Sequence, residues 1–144
     1  MVYHLVSANE TDMVYLKEAK LYNIFKYASG LEKEEVLRIK KYIDEHIPLE
    51  ISGYKMVICD GKKVGCCFVC DKDDGVILDE IFIEEGYRNK GIGSDIIKKI
   101  LENNEIVYLW VYKENFKAMR LYKKLGFGII EETKTRYYMK YIKQ

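Results

Sequence analysis

Between residues 76 and 101 the chain passes from a β-branched run, through two closely spaced glycines, into an amphipathic stretch, and this junction restricts the fold more than any other feature. Val76-Ile77-Leu78-Asp79-Glu80-Ile81-Phe82-Ile83 reads as a largely buried strand, while Ile96, Ile97, Ile100 and Leu101 recur at helical spacing. The connecting Arg88-Asn89-Lys90-Gly91-Ile92-Gly93-Ser94 therefore opens a helix. N–H groups of a first helical turn have no intrahelical partner and sit at the positive end of the helix dipole, so such a turn can cradle an anion such as a phosphate. Glycines let the backbone approach where a side chain would hold the phosphate off. Two familiar phosphate loops do not fit these letters. Gly86 and Gly91 have Walker A end spacing, but Ile92-Gly93 follows in place of Lys-Ser/Thr; a dinucleotide fingerprint begun at Gly91 meets Ile96 where its third glycine belongs.

A second patterned segment lies downstream. Ile106-Val107-Tyr108-Leu109-Trp110-Val111 reads as a strand, followed by Asn115-Phe116-Lys117-Ala118-Met119-Arg120-Leu121-Tyr122-Lys123-Lys124-Leu125-Gly126-Phe127. Asn115 is a candidate N-cap, and Asn115, Ala118 and Tyr122 fall near one helix face at three- and four-residue steps. Leu121 and Leu125 form a packing stripe, and Gly126 is a helix stop. Together the two segments resemble the GCN5-related N-acetyltransferase (GNAT) superfamily. Arg88-x-x-Gly91-x-Gly93 is similar to that family's pyrophosphate signature, Gln/Arg-x-x-Gly-x-Gly/Ala, and residues 115–127 to its N-x-x-A-x-x-L-Y-x-x-x-G-F segment, in the expected order. The resemblance covers roughly Val76 to Tyr141.

Periodicity and turn signals order the remaining elements. Tyr3 to Val6 reads as a strand, and Asp12 to Ala28 as a helix with Leu16, Leu21, Ile24, Phe25 and Ala28 on its apolar side. Ser29-x-x-Glu32 forms a capping box for a second helix, striped by Val36, Ile39, Ile43 and Ile47 and ended by Pro48. Tyr54 to Cys59 and Lys63 to Cys70 flank Asp60-Gly61 as a hairpin. Val76 to Ile83, a helix over Gly91 to Glu102, Ile106 to Val111, a helix over Asn115 to Leu125, and strands near Phe127 to Thr133 and Arg136 to Tyr141 follow. This is an α+β order dominated by one mixed sheet. The resemblance implies a single domain over residues 1–144: a mostly antiparallel sheet flanked by about four helices, in which two parallel strands splay apart to admit the cofactor arm.

Composition narrows the function classes. A net charge of +1 leaves no electrostatic footprint for nucleic acid. No apolar run approaches the roughly 18 residues of a membrane span, and Met1-Val2-Tyr3-His4-Leu5 lacks the basic region and apolar core of a signal peptide, so a cytoplasmic protein is expected. Cys67 and Cys70 spell C-x-x-C, yet three-apart residues on a strand face opposite sides and no second C-x-x-C completes a zinc site. Neither His4 nor His46 has a partner at metal spacing, and buried reduced thiols without a metal are expected.

The resemblance implies an enzyme using acetyl-CoA as co-substrate and an amine as acceptor. Backbone N–H groups from Arg88 to Ser94 (Arg88, Asn89, Lys90, Gly91, Ile92, Gly93, Ser94) would hold the pyrophosphate, with Arg88 or Lys90 adding charge. The main chain of Ile81, Phe82 and Ile83 would pair with the pantetheine arm, and Ile81 or Phe82 N–H would polarise the thioester carbonyl. Asn115, Ala118 and Tyr122 would line the cofactor, with Tyr122 as general acid toward the departing thiolate. Glu80 is the first candidate for general base, with Asp79 behind it. Strand alternation groups Glu80 with Leu78 and Phe82, and Asp79 with Ile77 and Ile81, so one of the two faces the site unless a bulge intervenes. Some family members that modify protein N-termini carry an acid at the position of Trp110, a departure that weakens the resemblance to that subgroup.

The acceptor is open between a small-molecule amine and a peptide amine. By resemblance its site is built from Asp12 to Ile47 and Thr133 to Tyr141, rich in Tyr15, Tyr22, Tyr27, Tyr42, Tyr137 and Tyr138. A homodimer is equally open. Two other function classes compete: a CoA-binding regulatory module without turnover, and a thiol or metal protein using Cys66, Cys67 and Cys70.

Overall fold

A computed structural model describes residues 2–144. Among them the order is β1 (His4–Ser7), α1 (Met13–Tyr27), α2 (Lys33–Glu50), β2 (Tyr54–Cys59), β3 (Lys62–Lys72), β4 (Gly75–Ile83), α3 (Ile92–Glu102), β5 (Ile106–Tyr112), α4 (Phe116–Leu125), β6 (Gly128–Glu132) and β7 (Arg136–Ile142). The strands make one sheet in the order β1-β2-β3-β4-β5-β7-β6, antiparallel at each neighbouring pair except β4 and β5. This is the expected mixed sheet with four flanking helices, and most element limits fall within two residues of those read from the pattern.

Alternation along the strands divides the core between two faces. On one, α1 and α2 bury Leu16, Ala19, Ile43 and Ile47 against Tyr54, Met56, Cys66 and Phe68. On the other, α3 packs Ile92 and Ile96 onto Val57, Val64 and Cys67, while Ile97, Leu101, Met119 and Tyr122 from α3 and α4 cover Leu78, Val107, Leu109 and Met139. Full burial of such an aliphatic side chain contributes roughly 1.5–3 kcal/mol. Cys67 and Cys70 sit on opposite sides, Cys67 under α3 and Cys70 against the α1–α2 cluster.

Two features of β4 shape the site. Its parallel ladder with β5 stops after Val76↔Val107, Ile77↔Tyr108 and Leu78↔Leu109, so the strands diverge beyond Leu78. At the closed end Gly75 lies against β5, and a Cβ there would collide with the carbonyl of Ile106. In the ladder with β3, Phe68 opposes Glu80 while Val69 opposes Leu78, which makes Asp79 the extra residue of a β-bulge. The bulge overturns the simple alternation. Leu78 faces α3 and α4, whereas Glu80 has joined Phe82 on the α1 side, and Asp79 and Glu80 both reach Lys20 of α1.

The second helix also differs from expectation. Its N-cap is Glu32, boxed with Glu35, rather than Ser29. Pro48 lies inside the helix, which continues to Glu50. The missing N–H deprives the carbonyl of Asp44 of its helical partner, at a residue that is exposed to solvent.

Candidate active site

Divergence of β4 from β5 leaves two cavities that meet at the fork. One of about 680 Å³ lies between α1, the 28–31 loop, the Asp79 bulge and the uncovered face of Leu109 to Tyr112. The other, of about 440 Å³, runs from Ile81–Ile83 past the glycine loop to the start of α4. Asn23, Tyr27, Ile81, Asn115 and Tyr122 border both.

The second cavity gathers Ile81, Phe82, Ile83, Arg88, Asn89, Gly91, Ile92, Gly93, Ser94, Asn115, Ala118 and Tyr122. Lys90 is exposed and lies off its wall. Gly91 holds φ at 86°, a left-handed conformation natural to glycine, and caps α3 without a side-chain bond. The first backbone bond of the helix runs from Asp95 N–H to Gly91 C=O at 2.9 Å, so the N–H groups of Ile92, Gly93 and Ser94 are free in the opening turn. Asn115 Oδ1 accepts from Ala118 N–H at 3.2 Å and so caps α4.

Arg88 does not present its charge freely to the loop. Its Nε donates to Ile83 C=O at 2.6 Å, its Nη1 donates to Tyr22 Oη at 3.0 Å, and its guanidinium lies 5.0 Å from the Tyr22 ring centroid. It therefore ties α1 to the end of β4. Asn23 Nδ2 donates to Ile81 C=O at 3.0 Å. Since the carbonyls of Ile81 and Ile83 face away from β3, the N–H groups of the same two residues also face the fork, and those of Phe82 face β3. Donors rather than acceptors are thus left open along this edge.

Glu80 is 8% exposed, and burial lifts its carboxyl to about pKa 7, while a hydrogen bond from Asn23 and the Lys20 ammonium pull the other way. Lys20 Nζ lies 3.9 Å from Glu80 Oε2 and 3.7 Å from Asp79 Oδ2. Tyr122 is also 8% exposed, and desolvation pushes its phenol up to about 12. Its hydroxyl has no hydrogen-bond partner among the described residues. An acid that titrates near neutrality and a phenol that stays protonated thus border the same cavity.

A protein-family model described as an acetyltransferase (GNAT) domain matches residues 52–129, more than half of the chain. The chain belongs to the GNAT acetyltransferase family. It is 34% identical over 87 residues to an uncharacterized N-acetyltransferase of Methanocaldococcus jannaschii, a stretch covering 52% of this chain and 38% of that protein. It is 33% identical over 63 residues to the spermine/spermidine N(1)-acetyltransferase of Bacillus subtilis, covering 40% and 41%. The chain thus spans about 40% of the length of these curated relatives. In fold it is similar to a PaiA N-acetyltransferase of Thermoplasma acidophilum solved with coenzyme A, with a TM-score of 0.74, 17% identity and 99% of both chains covered.

GNAT membership accounts for the glycine loop and the Asn115 to Phe127 segment. Four further wall residues lie outside those two motifs but inside the Asp12 to Ile47 and Thr133 to Tyr141 segments expected at the acceptor site, and of these the sequence singles out Tyr27 alone. Lys20, Asn23 and Tyr27 follow the buried Leu16 at helical steps of four, seven and eleven, so they share the inward face of α1. Polar residues in that stripe were the available signal. Arg136 comes from β7, beyond the matched residues, and no local pattern announces it.

Proposed function

We propose that this protein, as one domain over residues 1–144, is an acetyl-CoA-dependent N-acetyltransferase acting on a primary amine by direct attack with both substrates bound. The observation that carries the reading is that Glu80 and Tyr122, both buried, border one cavity, with the carboxyl raised toward neutrality, where a base is useful, and the phenol kept in its protonated form. Family membership and the fold of a coenzyme A-bound neighbour support it. The same reading carries a cytoplasmic location, where acetyl-CoA is available.

The second cavity fits the co-substrate. Free N–H groups at Ile92, Gly93 and Ser94 suit a pyrophosphate, and the N–H groups of Ile81 and Ile83 suit the carbonyls of an extended arm laid beside β4. Bound there, acetyl-CoA supplies a thioester whose carbonyl carbon gains a bond to the amine nitrogen as the bond to sulfur breaks, the electron pair leaving on sulfur. Glu80, ionised in part at neutral pH, takes a proton from the acceptor ammonium so that its nitrogen lone pair is available. Tyr122 Oη gives its proton to the departing sulfur, and the second proton, shed by the newly acylated nitrogen, returns through water to the phenolate. Asn23 and Lys20 orient Glu80, and Asn115 closes the floor between the cavities.

A panel of primary amines incubated with acetyl-CoA and a thiol-detecting reagent tests this, with polyamines included because the Bacillus subtilis relative is named for them. Thiol release that depends on the amine is expected. Tight coenzyme A binding without release on any amine would support a regulatory CoA-binding module instead.

A further inference from the structure

The acceptor cavity carries a cation that neither the cradle nor the acid–base pair uses. Arg136 stacks its guanidinium 4.8 Å above the Trp110 ring centroid and 6.0 Å from that of Tyr112. Its backbone is fixed in the β6–β7 turn, where Arg136 N–H donates to Thr133 Oγ1 at 3.0 Å and Arg136 C=O accepts from Thr133 N–H at 2.8 Å. No hydrogen bond or ion pair engages its side chain among the described residues, and it is half-buried on the cavity wall. A guanidinium stacked on an indole keeps its edge free, and that edge is the fork that matches a carboxylate with two parallel hydrogen bonds.

The other charges of the cavity sharpen the point. Lys20 stands between Asp79 and Glu80, which already balance its charge. Glu35 accepts from the N–H of Glu32 at 3.3 Å as part of the α2 cap. The wall formed by α1 and β4 therefore offers an acid, and the wall formed by β5 and β7 offers a half-buried cation. A polyamine seated by one ammonium at Glu80 would leave the guanidinium edge of Arg136 unpaired, whereas an amine that also bears a carboxylate fills it.

Building on the N-acetyltransferase reading, we propose that the acceptor is a primary amine bearing a carboxylate, an amino acid or a close derivative, with the carboxylate held by Arg136 against Trp110 and the amine presented to Glu80. Charge-assisted pairing of this kind is worth about 10- to 100-fold in affinity when partly desolvated.

Acceptor pairs that differ only in the carboxylate decide it: L-lysine against cadaverine, L-ornithine against putrescine, L-leucine against isopentylamine, all at saturating acetyl-CoA. We expect kcat/KM about 10- to 100-fold higher for the carboxylated member of each pair that is turned over. Arg136→Gln should collapse that ratio toward unity, and Arg136→Lys should restore part of it. A wild-type preference for the decarboxylated amines overturns the inference and leaves acetyl transfer intact. A second readout needs no turnover, because Trp110 is the single tryptophan of the chain. Titrating the coenzyme A-bound protein with L-leucine should change its fluorescence saturably, isopentylamine should not, and Arg136→Gln should abolish the response. Equal responses to both ligands overturn the inference even if no amine is acetylated. A carboxylate-specific response with no turnover on any amine counts against the transferase reading alone.

Discussion

Asn23 on α1 bonds through one amide nitrogen to both Glu80 Oε1 and the carbonyl of Ile81, so the helix that walls the acceptor cavity also aims its buried acid. The bond favours the ionised carboxylate. Asn23→Leu, which keeps the volume and removes the donor, should move the acid limb of the kcat/KM profile to higher pH and lower the neutral-pH value roughly three- to tenfold. An unshifted limb would remove Asn23 as a positioning residue.

Tyr122→Phe keeps the ring packed against Phe127 and removes the proton donor. Turnover should fall about 10²–10⁴-fold with coenzyme A affinity little changed. A full-rate variant would rule out the general-acid role.

Glu80→Gln should show its largest deficit near neutral pH, narrowing as alkaline solvent deprotonates the amine unaided. A deficit that stays constant to high pH would rule out the base role. The same substitution bears on stability. With its folded pKa raised from 4.5 to about 7, Glu80 binds protons more tightly in the folded state, so its contribution falls as pH rises across that window and stays unfavourable above it. Glu80→Gln should therefore gain thermal stability relative to wild type between pH 5 and pH 8, on the order of 3 kcal/mol at most. Melting curves at both pH values measure it.

Gly93→Val separates binding from folding. A Cβ at Gly93 would meet only Ile83 Cγ1, at an ordinary 3.8 Å, so the folded state accommodates it. The branched side chain would instead stand over the free N–H groups of the α3 turn. Titration calorimetry should show at least about tenfold weaker coenzyme A binding, a loss of about 1.4 kcal/mol. Unchanged affinity would move the phosphate site elsewhere.

Burial pushes the Cys67 thiol up to about 11, which leaves little thiolate at neutral pH. A Cys67→Ala/Cys70→Ala protein should acetylate at close to the wild-type rate, with a modest fall in melting temperature from the lost packing. A hundredfold loss of rate in a folded variant would favour thiol chemistry.

What could be read from the letters was local. Gly91 and Gly93 between a β run and a helical stripe, and Asn115 three residues before Ala118, are patterns in which the residues that specify the geometry adjoin the residues that adopt it. The Asp79 bulge is of another kind. It exists only because Val69 and Phe68 on β3 pair with Leu78 and Glu80, skipping a residue, and a single strand's alternation carries no trace of that register. Alternation alone groups Glu80 with Leu78, although the two face opposite sides. Ser29 and Glu32 both stand three residues before a glutamate, and the choice of Glu32 as cap depends on where the loop delivers the chain. Arg136 reaches the cavity through a strand distant from both motifs, and its stacking partner, Trp110, is set by β5–β7 register.

Three rungs are a narrow tie for a sheet of seven strands. A leaf of four, β1 to β4, and a leaf of three, β5, β7 and β6, share a backbone ladder only at Val76, Ile77 and Leu78, with Tyr108 bonded to Asp74 beside it, α3 and α4 covering one face and Tyr27 stacked on Tyr112 on the other. A rotation of one leaf against the other about those rungs is the movement that would widen or narrow the fork. Both cavities lie on the open side of that axis and share five wall residues. Whatever sets the leaf angle from one cavity bears on the width of the other, so any change that one ligand makes to the binding of its partner is returned by the same factor.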